Sequence, residues 1–274
     1  MSTIGFIGSG NMAEAIIKGI LAAGLYQSEN IIASDVRPER LDAMAREYKI
    51  KTTLNNEDVI QYAEVLMICV KPQNVKALLD EIAAKVDNKT LVISIAAGIT
   101  AAYLSKRLPK CQVIRAMPNT PAMVGQGATG LFSANASKMS MVLAVKLFDA
   151  VGKAVIVDKE ELIDAVTAVS GSGPAYYFLL MEEMIKAGVQ LGLSEKTAEE
   201  LVLQTAYGAC LLAKEAYKRG EKPAELRRKV TSPRGTTEAA ISIFQQHGID
   251  GIVRAALQRA VQRSAELSKE VEDR

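Results

Sequence analysis

Between Lys229 and Thr237 the chain reads Lys-Val-Thr-Ser-Pro-Arg-Gly-Thr-Thr, then turns apolar-periodic from Glu238 to Phe244. Pro233 and Gly235 punctuate a turn, and a helix starting at Thr236-Thr237-Glu238 leaves its first backbone N–H groups unpaired. Such a helix start is a ready site for a small carboxylate. Thr237 then stands beside whatever carries that carboxylate, with a hydroxyl able to donate or accept a hydrogen bond. An ordinary helix start with a Ser or Thr cap fits the same letters. The other end of the chain gives the segment its weight.

Thr3 to Gly8 has the composition of a short buried strand, and Gly8-Ser9-Gly10-Asn11-Met12-Ala13 opens a helix that runs to about Gly24. Strand, glycine turn and helix in this order form the dinucleotide-binding fingerprint. Gly8 permits the tight turn and Gly10 lets a pyrophosphate approach the backbone. Ala13, where a third glycine usually stands, is small enough for close helix packing. Ser9, Asn11 and Met12 share that helix start and are cofactor-binding candidates with the two glycines. A second apolar run, Asn30 to Ser34, ends in Asp35, Val36 and Arg37, where an acidic residue that reads the ribose belongs. Asp35 can accept hydrogen bonds from a ribose 2′-hydroxyl and repel a 2′-phosphate, whereas Ser34 and Arg37 can bind that phosphate.

These residues need a sheet whose strands end near one another. Up to about residue 158 strand and helix alternate, with strands expected at Thr3–Gly8, Asn30–Asp35, Lys51–Thr53, Val65–Val70, Leu91–Ile95, Val113–Ala116, Ala128–Ser133 and Val155–Asp158. Runs such as Val65-Leu66-Met67-Ile68-Cys69-Val70 lack alternation, which predicts burial on both faces in an α/β, doubly wound, mostly parallel sheet. Ligands bind where such strands end. The loops there are Val70-Lys71-Pro72-Gln73, Ile95-Ala96-Ala97-Gly98 and Arg115 to Pro121, the last containing Met117 and Asn119. Their small residues and prolines let a nicotinamide and its ribose lie close to the backbone, and plain turn chemistry explains the same composition.

After Lys159 the pattern is helical: Lys159–Ala168, Pro174–Leu191, Glu195–Arg219, Pro223–Lys229, Thr236–Gln246 and Ile249–Lys269. This divides the chain into a dinucleotide-binding domain, residues 1–158, and an all-α domain, residues 159–274, whose last stretch, Glu266 to Arg274, reads as a charged tail that frays. The helix from Pro174 to Leu191 is apolar almost all round, so it needs cover on most sides. A second copy of the chain is the expected cover.

The chain has 274 residues, 49% of them hydrophobic and 23% charged, with a formal net charge of +2. The basic residues are scattered among acids, which speaks against nucleic acid or an anionic membrane as partner. The first strand begins at the third residue, so no signal peptide is expected, and no apolar run is long enough to span a bilayer. Cys69, Cys111 and Cys210 lie far apart and read as reduced core thiols of a cytoplasmic protein. His247 is the only histidine. A Ser-His-Asp triad or a His-rich metal site is therefore not expected, and His247 itself is placed to end a helix.

Five blocks together resemble the pyrroline-5-carboxylate reductases. They are Gly5 to Ala13, Val70-Lys71-Pro72, Met117-Pro118-Asn119-Thr120-Pro121, Ser170-Gly171-Ser172-Gly173-Pro174-Ala175-Tyr176, and Val230 to Thr237 with the helix after it. The resemblance covers nearly the whole chain. It implies a Rossmann-type N-terminal domain, an all-helical C-terminal domain that dimerises, and assembly of dimers into decamers in some relatives. It further implies that Thr237 contacts the ring nitrogen of the substrate, that Ser232, Gly235 and Thr236 hold its carboxylate, and that Met117 and Asn119 belong to the substrate side. Asn55, Val70, Lys71, Pro72 and Ala97 would line the cofactor, with NADPH slightly favoured and NADH also accepted. Two residues depart from the pattern. Arg234 replaces a small residue where positive φ is resisted by a side chain, and Lys229 replaces a polar uncharged residue near the cofactor.

Two other classes remain to be separated. A 3-hydroxyacid dehydrogenase of similar layout would carry a lysine and an asparagine in the run G-x-G-x-x-x-K-x-x-N, but this chain places Tyr177 and Leu180 there, after Gly171 and Gly173. A nucleotide sensor without catalysis would not need Thr237 or its turn.

Overall fold

The non-alternating apolar runs form the centre of one eight-stranded sheet, with more polar or exposed strands at its edges. In the computed structural model, which describes residues 2–272, its strands are β1 (Ile4–Ile7), β2 (Ile31–Ser34), β3 (Lys51–Thr53), β4 (Val65–Ile68), β5 (Leu91–Ser94), β6 (Gln112–Met117), β7 (Gly127–Phe132) and β8 (Gly152–Ile156). The strand order is β3-β2-β1-β4-β5-β6-β7-β8, and every neighbouring pair is parallel except β6 with β7. Between them run α1 (Asn11–Ala22), α2 (Pro38–Tyr48), α3 (Asn56–Tyr62), α4 (Pro72–Ile82), α5 (Ala101–Arg107) and α6 (Lys138–Asp149).

Successive side chains of a strand point to opposite faces, and here both faces are covered. Ile4 and Phe6 of β1, with Val65 and Met67 of β4, pack on one side with Ile16, Ile17 and Ile20 of α1. Ile7, Leu66 and Ile68 point to the other side, with Val75 and Leu79 of α4. The chain leaves β1 in one direction to β2 and later returns on the opposite side as β4. That reversal makes a crevice at the carboxyl ends of β1 and β4, the place where open α/β sheets bind ligands.

The helical half comprises α7 (Leu162–Val166), a π-helical segment (Thr167–Gly171), α8 (Gly173–Gln190), α9 (Glu195–Lys218), α10 (Pro223–Lys229), α11 (Thr236–Gln246) and α12 (Ile249–Glu272). By contacts, the chain through Pro174 together with the stretch from Leu257 onward forms one compact unit, and Ala175–Ala256 forms another. The sheet ends near residue 158, but α7 and the second half of α12 stay with it. Glu266 and Glu270, expected in a fraying tail, instead pair with Arg259 and Arg263 on a helix that continues to Glu272. Residues 273–274 of that expected tail lie outside the described residues.

Within the second unit α8 exposes Tyr177, Phe178 and Leu179, each by more than half. Ala198 and Ala216 are its buried apolar residues among those described. A helix this apolar cannot rest in water, so the unit is built to be covered by another chain. Cys210, expected in a core, is exposed on α9. Among the described residues no helix is long and apolar enough to cross a membrane.

Candidate functional site

At the crevice, Gly8 has φ 93°, and a methyl there would lie 2.9 Å from the carbonyl carbon of Cys69, so only glycine fits. Gly10, the N-cap of α1, faces open space and contributes no side chain to the cap. The first N–H groups of α1 are thereby left to an external anion. Asn11 and Met12 begin the helix, and Ala13 is fully packed beneath it. Ser9 is buried: its N–H donates to Asp35 Oδ2 at 2.9 Å and its hydroxyl to the Ser34 carbonyl at 3.1 Å.

Asp35 stands at the end of β2 with only 8% of its side chain exposed. Arg37 holds it with Nε on Oδ1 at 3.0 Å, Nη2 on Oδ2 at 3.3 Å and its backbone N–H on Oδ1 at 3.1 Å. Burial by itself raises the Asp35 carboxyl, but the Arg37 guanidinium and the N–H groups of Ser9 and Arg37 outweigh it and hold the group below its ordinary value. Ser34, the last residue of β2, joins the cluster through its carbonyl, which accepts from Ser9. It is 1% exposed and its hydroxyl donates to Asn56 Oδ1 at 2.7 Å, so that oxygen is committed inside the fold.

Three residues that sequence reasoning missed, Arg40, Glu14 and Tyr48, complete the glycine turn. Arg40 of α2 donates from Nε to the Ser9 carbonyl at 2.6 Å and pairs with Glu14 of α1, whose other oxygen accepts the Tyr48 hydroxyl at 2.9 Å. Burial raises Glu14, and these two partners more than reverse the effect. Arg40 thus neutralises a carboxylate in the very helix turn that must receive a pyrophosphate. No local signal could have found it, since Arg40 and Glu14 are 26 residues apart.

The other strand-end loops lie along the same edge. Asn55 caps α3 with its side chain accepting the Glu57 N–H at 3.0 Å. Val70 is half-buried and Lys71, exposed, precedes Pro72 at the start of α4. Cys69 beside them is inert, since burial pushes its thiol far up. Ala97 is half-buried in the loop after β5. Met117 ends β6 against Gly171, where a methyl would lie 2.8 Å from its Cε. Asn119 is 8% exposed, and its amide donates to the Ser170 carbonyl at 2.9 Å while its oxygen accepts the Ala128 N–H at 2.8 Å. Both ends of Asn119 are engaged in bracing β7 and the π-helical segment.

The Val230–Thr237 turn belongs to the second unit. Lys229 pairs with Glu221 at 2.5 Å. Thr231 donates to the Arg227 carbonyl at 2.6 Å, and the chain then turns through Ser232 and Pro233. Arg234 adopts φ 59° despite its side chain, and its N–H is held by Glu238 Oε2 at 2.6 Å. Gly235 is the N-cap of α11, with no side-chain cap bond. A methyl there would meet Ser232 Oγ at 2.4 Å and the Ser232 carbonyl oxygen at 3.0 Å. By contrast, Asn55, Thr100, Ser137 and Ser194 cap their helices with a side chain. The ordinary Ser/Thr cap is therefore not what this segment forms. The first backbone bond into the cap comes from Ala239 N–H to the Gly235 carbonyl at 3.2 Å, so the N–H groups of Thr236 and Thr237 face outward. Thr237 is half-buried, and its hydroxyl has no partner among the described residues.

A glycine turn at a sheet crevice, an acid at the end of the second strand and a helical second unit define a dinucleotide-dependent oxidoreductase. The family model described as "NADP oxidoreductase coenzyme F420-dependent" matches residues 3–98, and "Pyrroline-5-carboxylate reductase dimerisation" matches residues 160–267. The chain is 48% identical to the pyrroline-5-carboxylate reductase of Pseudomonas aeruginosa, over 99% of each chain. It is 40% identical to that of Synechocystis, over 97% of this chain and 98% of the relative. Among solved structures, a pyrroline-5-carboxylate reductase from Coxiella burnetii superposes with a TM-score of 0.91 at 39% identity, covering 97% of this chain and 98% of that one. The Plasmodium falciparum pyrroline carboxylate reductase with NADP bound superposes at 0.85 with 27% identity, covering 97% and 98%. The chain belongs to the pyrroline-5-carboxylate reductase family.

Proposed function

We propose that this protein reduces the C=N bond of 1-pyrroline-5-carboxylate with NAD(P)H to give L-proline, the last step of proline biosynthesis. The observation that carries it is the glycine-capped start of α11, which sets outward N–H groups beside the Thr237 hydroxyl, a group without a partner among the described residues. A cyclic imine becomes an electrophilic iminium when protonated, so alignment matters more than a strong acid. The reduced nicotinamide supplies the hydride. The N–H groups around Ser232, Gly235 and Thr236 hold the carboxylate and fix the ring face, while Thr237 orients the ring nitrogen and retains its proton.

The residues present fit the cofactor. Gly10 leaves room for a pyrophosphate at the start of α1, Ser9, Asn11 and Met12 frame it, and Asp35 with Arg37 meets the adenosine ribose. Asn55, Val70, Lys71, Pro72 and Ala97 line the path along the strand ends, and Met117 stands on the substrate side. NADPH is the favoured cofactor and NADH a second. The enzyme works as a homodimer or a larger assembly of such dimers, a decamer among them, in the cytoplasm. Its mixed surface charge gives it no nucleic-acid or membrane partner.

Steady-state oxidation of NAD(P)H with 1-pyrroline-5-carboxylate, with reduction of NAD(P)+ by 3-hydroxyacids as the control, tests the assignment. Turnover of the hydroxyacids, or of neither class, would reject it.

A further inference from the structure

Arg115 of β6 is 3% exposed and has no part in the chemistry described. Its guanidinium donates to Glu160 Oε1 at 3.0 Å and lies 3.9 Å from Asp164 Oδ1. A buried cation facing two carboxylates is costly unless every member is held in place, so the cluster fixes the elements it joins. Glu160 Oε1 also accepts the N–H of Ala101, the first residue of α5, at 2.5 Å. Asp164 Oδ1 accepts the Ser264 hydroxyl of α12 at 2.6 Å. One turn further on, the α12 backbone lies against Gly98, where a methyl would meet the Leu267 carbonyl carbon at 3.4 Å and the Ser268 nitrogen at 3.5 Å. The segment just past Ala97 is thus held twice, by packing of α12 at Gly98 and by the Glu160 hydrogen bond at Ala101.

We infer that the second half of α12, through Ser264, Asp164 and the Arg115–Glu160 pair, is a positioning device for the cofactor loop at Ala97. The inference rests on that loop lining the cofactor. Ala96, Ala97 and Gly98 are small enough for a ligand to approach closely but have no side chain with which to anchor themselves. The anchor is supplied from behind, by a helix that arrives from the far end of the chain.

Ser264→Ala removes one link, and Ser264→Thr keeps the hydroxyl. Ser264→Ala is expected to raise KM for NADPH and NADH together, about 3- to 10-fold, with the KM for 1-pyrroline-5-carboxylate unmoved. The two cofactors should respond alike because β5 lies three strands from β2, about 14 Å from the residues that read the 2′ position. Ser264→Thr should behave as wild type. Loss of thermal stability with both cofactor KM values unchanged would reduce the contact to a structural one and overturn the inference. Ala97→Leu, measured alongside, separates the two levels. If it raises cofactor KM while Ser264→Ala does not, only the positioning role falls. If Ala97→Leu is silent as well, the loop does not line the cofactor and both fall.

Discussion

Replacing Thr237 by valine keeps the β-branched shape and removes only the hydroxyl. The start of α11 is built without that oxygen: Gly235 caps it, Ala239 N–H bonds back to Gly235, and Glu238 holds the Arg234 N–H. Thr237→Val therefore breaks no internal hydrogen bond, and its effect on unfolding free energy should stay within about 0.5 kcal/mol. Its effect on the reaction should be far larger. A hydrogen bond to a charged, desolvated partner is worth about 1.5–3 kcal/mol, or roughly a 10- to 150-fold fall in kcat/KM for 1-pyrroline-5-carboxylate. The assay is steady-state oxidation of NADPH at varied imine, with cofactor KM and melting temperature measured on the same preparation. Cofactor KM should not move. Wild-type efficiency in the variant would make the hydroxyl a helix-start residue and refute the assignment, as would a loss of activity that tracks a loss of melting temperature.

Arg37→Ala should raise KM for NADPH more than for NADH, and equal effects on both would remove Arg37 from the 2′ site. The protein should sediment as a dimer or larger at micromolar concentration, because α8 has no other cover; a stable, fully active monomer would defeat this. Acid should destabilise the fingerprint region in a defined window. Asp35 and Glu14 both sit below their ordinary values of 3.8 and 4.5. Their stabilisation is complete above those unfolded values and is lost as pH falls through the lower, folded ones. Melting temperature should thus drop below about pH 4. Asp35→Asn should flatten that slope, and an unchanged slope would count against the assignment.

The centre of the sheet was legible because burial on both faces leaves a simple mark, an apolar run without alternation, in β1, β2, β4 and β5, and all eight expected strands appear with ends within a few residues of those expected. The glycine turn was legible because Gly8 is forced by a backbone neighbour at close range. Other features depend on partners distant in sequence. Nothing near Ser34 announces that Asn56 takes its hydroxyl, and nothing near Asn119 announces that Ala128 and Ser170 occupy both ends of its amide. Arg234 is a different case. Its side chain argues against positive φ, yet the turn adopts it, at a strain of about 1–3 kcal/mol that the Glu238 contact helps to offset. That compensation requires α11 to exist first, so no reading of the turn alone could supply it.

The same dependence on partners bears on cofactor choice. As separate residues, Asp35 favours a 2′-hydroxyl and Arg37 a 2′-phosphate, which reads as a contest between two preferences. In the fold they are one object, because Arg37 already gives Asp35 three of its hydrogen bonds and Ser9 a fourth. A ribose hydroxyl that seeks Asp35 must share it with Arg37. A phosphate that seeks Arg37 must draw it away, leaving Asp35 with the Ser9 N–H and the Arg37 backbone N–H to carry its charge. Arg37 is half-exposed and free to swing, whereas Asp35 is nearly buried and fixed. The movable partner is the one that would serve NADPH, and the carboxylate left behind keeps two backbone N–H donors while still repelling the phosphate. We therefore expect a site that accepts both cofactors, with any lean to NADPH set by how readily the guanidinium turns outward.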